Sequence, residues 1–134
     1  MIVRGSDKYF RAPFSDEGEI EKVVKDYAEY LFGSSIIFLP KSKINTIGGA
    51  ATIPDGFVID VESEEWFMVE AELATHGTWQ HIAPQVSKQL AATDSHSTRD
   101  SLLKVCLEMV KKDKAAAGIF ADLDIPQLEI HGKL

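Results

Sequence analysis

A chain of 134 residues with 45% hydrophobic and 26% charged residues has the size and composition of one globular domain with its own core. Its net charge of −7 argues against tight nonspecific binding of nucleic acid by this chain alone. The single cysteine, Cys106, excludes an internal disulfide and favours a reducing, cytoplasmic location. No apolar stretch is long enough to span a bilayer, and residues 1–5 lack the apolar core of a signal peptide. We expect one domain over residues 1–134, which could be the N-terminal part of a longer chain.

The first half of the chain predicts an irregular or edge segment over residues 1–14, followed by a helix. Ser15 or Asp16 can cap this helix and Gly33 can end it. Its predicted core face repeats at helical spacing and consists of Ile20, Val23, Val24, Tyr27 and Leu31. A short buried strand, 36–39, is expected next, and a weaker strand-and-turn segment, 41–53, is interrupted by glycines 48 and 49.

Two clear strands, 57–61 and 66–73, are predicted to form a hairpin through residues 62–65. Pairing across that turn sets Asp55 opposite Glu72 and Phe57 opposite Glu70. Since strand side chains alternate between faces, one side of the second strand carries Trp66, Met68, Glu70 and Glu72. This register predicts that Asp55, Glu70 and Glu72 meet at one end of the hairpin.

The second half of the chain predicts mainly helices. One should run over about 81–92 with Pro84 in its first turn. Its core stripe should consist of Ile82, Val86 and Leu90, while another face carries His81, Gln85 and Lys88. A capping box at 97–100 should start a third helix that ends near Lys112. Its inward residues are expected to be Leu102, Val105, Cys106, Met109 and Val110. Residues 115–121 are predicted to be helical, and a short element should restart at Ile125-Pro126. The fold expected from these elements is α/β, a central mixed sheet flanked by helices.

Three carboxylates at the end of one hairpin suit a hard divalent cation. Mg²⁺ prefers oxygen ligands and keeps several waters, so two carboxylates and a carbonyl are sufficient. Such a cation can polarise a phosphate and generate hydroxide. The alternative is a hairpin edge whose acidic side chains face only water.

Two histidines close to the glutamates allow a rival interpretation. Glu70, Glu72, His76 and His81 could ligate Zn²⁺, although their spacing matches no tight zinc motif. His81 could equally lie at the rim of the carboxylate site or cap its helix. Trp79 is interpreted as a packing residue rather than one that stacks on a base.

The order of these motifs resembles the PD-(D/E)xK superfamily of restriction-endonuclease-like nucleases. The resemblance is carried by Pro54-Asp55, Glu70-Ala71-Glu72 and Gln85, with Glu17 or Glu21 on the first helix. It covers roughly residues 15–92, the size of the αβββα core of that superfamily. It implies an αβββα nuclease-like fold for this chain.

The resemblance also implies roles for individual residues. Asp55 and Glu70 would bind Mg²⁺, with Mn²⁺ as the alternative ion and the Ala71 carbonyl as a third ligand. Glu72 stands where lysine is commonest, and would ligate the metal or position water. The role of that lysine could pass to Lys88 on the next helix. Gln85 would lie near the substrate backbone, and Glu17, or alternatively Glu21, would orient the metal or its water.

The expected function is therefore that of a magnesium-dependent endonuclease acting on DNA. A homodimer partner or a further segment could supply the basic groove that the acidic composition does not predict. The alternative is a nuclease-like fold without activity that serves as an interaction module, because the usual lysine is replaced by Glu72.

Overall fold

The structure, a computed structural model, describes residues 1–125. The strands are β1 (Ile2–Arg4), β2 (Asp7–Tyr9), β3 (Ile36–Leu39), β4 (Ile44–Asn45), β5 (Ala51–Thr52), β6 (Gly56–Asp60) and β7 (Glu65–Val69). The α-helices are α1 (Glu17–Asp26), α2 (Ala28–Phe32), α3 (Ala83–Thr93), α4 (His96–Lys112) and α5 (Lys114–Asp122). A π-helical turn, Thr78–Ile82, leads directly into α3. The expectation of an α/β protein is thus confirmed at this level, while Pro126 lies outside the described residues.

The strands of the described chain form three small sheets, and every pair is antiparallel. β6 lies between β3 and β7 in the largest sheet, whereas β1 pairs with β2 and β4 with β5. The predicted mixed sheet is therefore wrong for residues 1–125. Short connections such as the four-residue turn between β6 and β7 join antiparallel neighbours, since a parallel pair needs a long crossover.

Helices cover both faces of the β3–β6–β7 sheet. The central strand is buried on both sides, because Phe57 and Ile59 point towards α4 and α5 while Val58 points towards α2. The larger cluster includes buried residues of α4 and α5: Leu102, Cys106, Val110, Ala116 and Phe120. Burial raises the pKa of the Cys106 thiol to about 11, as expected for a packing residue. No helix in the described part of the chain is long and apolar enough to cross a membrane.

The β6–β7 hairpin is paired two residues out of the predicted register. Asp60 faces Glu65 and Gly56 faces Val69, so the turn begins at Val61 rather than at Glu62. The Asp60 carboxylate accepts the backbone N–H groups of residues 62 and 63 at 3.1 and 3.3 Å, which closes the turn early. Because strand faces alternate with a period of two, this shift preserves the face that carries Asp55 and Glu70. It sets Asp55 beside Glu70 instead of Glu72.

The second strand of the hairpin is shorter than predicted. β7 ends at Val69 rather than at Leu73, so Glu70 and Glu72 lie in the segment that follows it. The backbone N–H of Asp55 donates to the Val69 carbonyl at 3.1 Å, which holds that segment against the start of β6. The two glutamates are therefore free to point towards helices as well as along the sheet edge.

The N-terminal helix starts as predicted but breaks at Tyr27. Asp16 Oδ1 accepts the Glu19 N–H at 2.9 Å, while Glu19 accepts the Ser15 N–H at 2.8 Å, a reciprocal capping arrangement. The predicted core face is only partly correct, because Tyr27 and Leu31 are exposed and the buried contact is made by Ala28. The break between α1 and α2 turns these larger side chains away from the sheet.

The predicted stripe of α3 is also partly wrong. Leu90 is 57% exposed, whereas Gln89 and Ala92 are fully buried. The glutamine occupies an interior position because its amide donates to the Glu70 carboxylate. The following helix confirms the prediction more closely, since Leu102, Cys106 and Val110 are buried, although α4 begins at His96 and its cap is Ser95.

Candidate functional site

The candidate site lies where β6 begins and β7 ends. Pro54 is buried, and Asp55 accepts the Ala71 N–H through Oδ2 at 2.9 Å. Together with the Asp55 N–H bond to Val69, this bridge closes the open end of the hairpin. Both bonds fix the Asp55 carboxylate beside the Glu70-Ala71-Glu72 segment.

Lys41 is the cation of this site, and it was missed in the sequence. Its Nζ lies 3.0 Å from Asp55 Oδ1 and 2.7 Å from Glu21 Oε2. The hydrogen bond to Glu21 is the largest cause of the raised pKa of Lys41. The pairing of β3 with β6 sets Leu39 opposite Phe57, and two more residues in that register set Lys41 opposite Asp55. Pairing of the two strands was thus the signal that could have identified Lys41.

Two glutamines of α3 hold the Glu70 carboxylate. Gln85 Nε2 donates to Glu70 Oε2 at 2.7 Å, and Gln89 Nε2 donates to Glu70 Oε1. Gln85 was predicted for this face, and Gln89, one turn later, was missed because the helix was given an apolar interior stripe. Gln89 Oε1 is buried and has no hydrogen-bond partner among the described residues.

The Glu70 carboxyl has a strongly perturbed acidity. Its burial raises the pKa from 4.5 to about 7, helped by the adjacent Asp55 and Glu72 carboxylates and opposed by the hydrogen bond from Gln85. Asp55 and Glu70 are therefore neighbouring carboxyl groups, and a negative charge on Asp55 opposes one on Glu70. A divalent cation between them would offset this repulsion.

Glu72 faces a different set of partners. His76 Nδ1 lies 2.6 Å from Glu72 Oε2 and 3.0 Å from Glu17 Oε1, while His81 Nε2 lies 3.3 Å from Glu72 Oε1. The two imidazole rings meet edge to face, with centroids 4.9 Å apart. Of the four residues in the rival zinc interpretation, Glu72, His76 and His81 lie together, and Glu17 of α1 takes the place expected for Glu70.

Of the other residues singled out in the sequence, some lie near the carboxylates of the site and others point away from them. Glu17 and Glu21 both face the site, one through His76 and the other through Lys41. Lys88 is exposed on α3 and makes no hydrogen bond or ion pair within residues 1–125. Trp79 is 84% exposed, so its interpretation as a packing residue is wrong.

The donor chemistry of the hairpin end fits a hard cation. Asp55 and Glu70 offer interacting carboxylate groups at the same end of the hairpin, and the Ala71 carbonyl belongs to the segment that carries Glu70. Oxygen donors of this kind suit Mg²⁺ or Mn²⁺, both of which tolerate several bound waters. Lys41 now balances part of the negative charge that such a cation would neutralise.

Comparison with known proteins identifies no family for this chain. No protein-family model, no curated protein and no solved structure matches the chain. The chemistry of the site therefore has to follow from its own geometry.

Proposed function

We propose that this protein is a metal-dependent phosphodiesterase that cleaves DNA, with Asp55 and Glu70 as ligands for Mg²⁺ or Mn²⁺. The observation that carries the proposal is the convergence of these two carboxylates at one end of the β6–β7 hairpin, close enough for Asp55 to help raise the Glu70 pKa to about 7. Two acids held together at this position are costly unless a proton or a cation joins them.

The order of elements around the carboxylates supports the same proposal. A helix, a strand, two further strands in a hairpin and a glutamine-bearing helix follow one another as α1, β3, β6, β7 and α3. This is the order in which the PD-(D/E)xK superfamily places its core elements. The small β4–β5 hairpin is inserted between the first and second of these strands.

The reaction would be hydrolysis of a phosphodiester. The oxygen of a water molecule forms a bond to phosphorus, the bond to the 3′ oxygen breaks, and that oxygen takes up a proton, leaving a 5′-phosphate. A bound divalent cation supplies Lewis-acid polarisation and lowers the pKa of the attacking water. Gln85 and Gln89 hold the Glu70 carboxylate in place, while the Ala71 N–H fixes Asp55.

Lys41 takes the role of the cationic group that Glu72 does not provide. Its side chain is 48% exposed, so Nζ can exchange its bond with Asp55 for one to a phosphate oxygen of the substrate. Lys88, exposed on α3 between the two glutamines, is a second candidate for contact with the DNA backbone.

The second candidate function is a non-catalytic interaction module. Lys41 already pairs with Asp55 and Glu21, so these acids are balanced without a metal, and the net charge of −7 opposes tight DNA binding. This candidate predicts no Mg²⁺ or Mn²⁺ binding that depends on Asp55.

Nicking of supercoiled plasmid DNA distinguishes the two functions. We expect cleavage with Mg²⁺ or Mn²⁺ and none with EDTA, and a loss of more than about 100-fold in Asp55→Asn or Glu70→Gln. Asp60→Asn is the matched control. Asp55 immediately precedes β6 and Asp60 is its last residue, but the Asp60 carboxylate only bonds the backbone of the following turn. Cleavage undiminished in both site variants would refute the proposal. Inactive wild-type protein that also fails to bind Mn²⁺ would favour the interaction module.

A further inference from the structure

We propose that Glu17, Glu72, His76 and His81 form a second metal site, which binds Zn²⁺ or a similar transition-metal ion. This tetrad combines two carboxylates and two imidazoles, one ligand atom from each. It is distinct from the Asp55–Glu70 pair and does not depend on the proposed phosphodiesterase activity.

The distances within the tetrad are close to those of a tetrahedral zinc site. Zn–N and Zn–O bonds of about 2.0–2.1 Å imply ligand atoms about 3.3 Å apart. The three contacts around the histidines measure 2.6, 3.0 and 3.3 Å, and all four ligand atoms lie within 4.8 Å of one another. Small side-chain rotations are therefore enough to place all four around one ion.

The convergence on His76 indicates a cation at the centre of the tetrad. Its Nδ1 is approached by Glu72 at 2.6 Å and by Glu17 at 3.0 Å, so two carboxylates share one nitrogen. One imidazole nitrogen carries at most one proton, which points well at only one acceptor. An ion in place of that proton would satisfy both carboxylates and the nitrogen together.

The backbone holds the ligands in place from separate parts of the fold. The His76 N–H donates to Leu73 at 2.9 Å, and the His81 N–H donates to Gly77 at 2.9 Å within the π-helical turn. π-Helical turns are rare and frequently occur at functional sites. Glu17 comes from the first turn of α1, so a bound ion would also tie that helix to the segment after β7.

The ligand types separate the two sites by metal preference. Imidazole nitrogen favours Zn²⁺ and other transition metals, whereas Mg²⁺ prefers oxygen ligands alone. The tetrad supplies two nitrogens, and the Asp55–Glu70 pair supplies only oxygens. Glu72 is only 12% exposed and His81 is 53% exposed, so the site is held by the fold on one side and can be reached by an ion from solvent on the other.

The test is metal binding by tag-free protein that has been stripped with EDTA. We expect one equivalent of Zn²⁺ by calorimetry and the intense visible absorption of tetrahedral Co²⁺. His76→Ala and His81→Ala should each weaken Zn²⁺ binding by more than about 100-fold. His96→Ala is the matched control, because His96 lies at the start of α4, and it should leave binding unchanged.

The outcome is independent of nuclease activity. Asp55→Asn should keep Zn²⁺ binding while it loses Mg²⁺- or Mn²⁺-dependent cleavage, so failure of one proposal does not decide the other. Circular dichroism and thermal unfolding verify that each histidine variant is folded. Zn²⁺ affinity that is undiminished in the folded His76→Ala/His81→Ala double variant, or no Zn²⁺ binding by wild type, would overturn the second site.

Discussion

Replacing Glu70 by glutamine should stabilise the metal-free protein at alkaline pH and have little effect at acidic pH. The Glu70 pKa is raised from 4.5 to about 7, so the folded state favours the protonated carboxyl. The stability that this group contributes is therefore fully present below the unfolded pKa and is lost as pH rises through about 7. Because glutamine cannot ionise, the Glu70→Gln variant does not lose this stability as pH rises.

The magnitude follows from the size of the shift. Because a tenfold change in an equilibrium constant is about 1.4 kcal/mol, a fully buried carboxyl with this shift would lose about 3–4 kcal/mol. The Glu70 carboxyl is only partly buried, and solvent screening reduces the expected loss to about 1–2 kcal/mol. We expect the difference in unfolding free energy between Glu70→Gln and wild type to grow by that amount between pH 5 and pH 8.

Urea denaturation in EDTA at several pH values measures this difference. Titrating groups that do not interact with Glu70 contribute equally to both proteins and cancel when the two are subtracted. Glu65→Gln is the matched control, because Glu65 is an exposed glutamate at the start of β7 and should show no such trend. A difference between Glu70→Gln and wild type that does not change with pH would refute the reasoning.

The remaining predictions concern substrate contact and packing. Lys41→Ala should weaken DNA binding by about tenfold or less in low-salt fluorescence anisotropy, as expected for the loss of one phosphate contact. Lys43→Ala is the neighbouring control and should have a smaller effect. Equal effects of the two substitutions would contradict the role of Lys41. Trp79 is 84% exposed and is therefore available to stack on an unpaired base. We expect a single-stranded oligonucleotide to quench its fluorescence, and we expect Trp79→Phe to remove the quenching while Trp66, whose ring centroid lies 6.1 Å from that of Phe57, still emits. Quenching retained in that variant would contradict stacking by Trp79. Gly56→Ala should lower the unfolding free energy by about 1–3 kcal/mol, because the new Cβ would lie 2.5 Å from the Phe38 ring. Gly48→Ala should be nearly neutral in the same urea titration, because its Cβ would have no neighbour closer than 3.8 Å. Equal stability of the two alanine variants would contradict the packing at β6.

The main elements of this fold and the β6–β7 hairpin could be predicted from the sequence, whereas the register of that hairpin and the pairing of β3 with β6 could not. Apolar runs and capping residues located the start of α1 and the bounds of β3, β6 and α4 to within a few residues. The register of β6 with β7 depended on the Asp60 side chain, which bonds the backbone of the turn and starts it one residue early. The pattern of apolar and polar residues along the strands does not reveal a hydrogen bond between a side chain and the backbone of the turn.

The candidate site shows the same division. Asp55 and Glu70 could be predicted to meet because strand alternation is a local rule, and the two-residue slip left the face unchanged. Glu72, predicted to join them, contacts His76 and His81 instead. Lys41 could not be predicted without the pairing of β3 with β6. Gln89 was missed because a buried polar side chain is determined by its partner, here Glu70, rather than by hydrophobic periodicity.

Binding of Mn²⁺ by wild type, Asp55→Asn and His76→Ala tests the central claim that Asp55 and Glu70 hold a catalytic cation. The titration is followed by electron paramagnetic resonance, with enough Zn²⁺ present to occupy the histidine site. The account predicts Mn²⁺ binding in wild type and in His76→Ala, and its loss in folded Asp55→Asn. Equal Mn²⁺ binding by wild type and Asp55→Asn, or no binding by wild type, would contradict it.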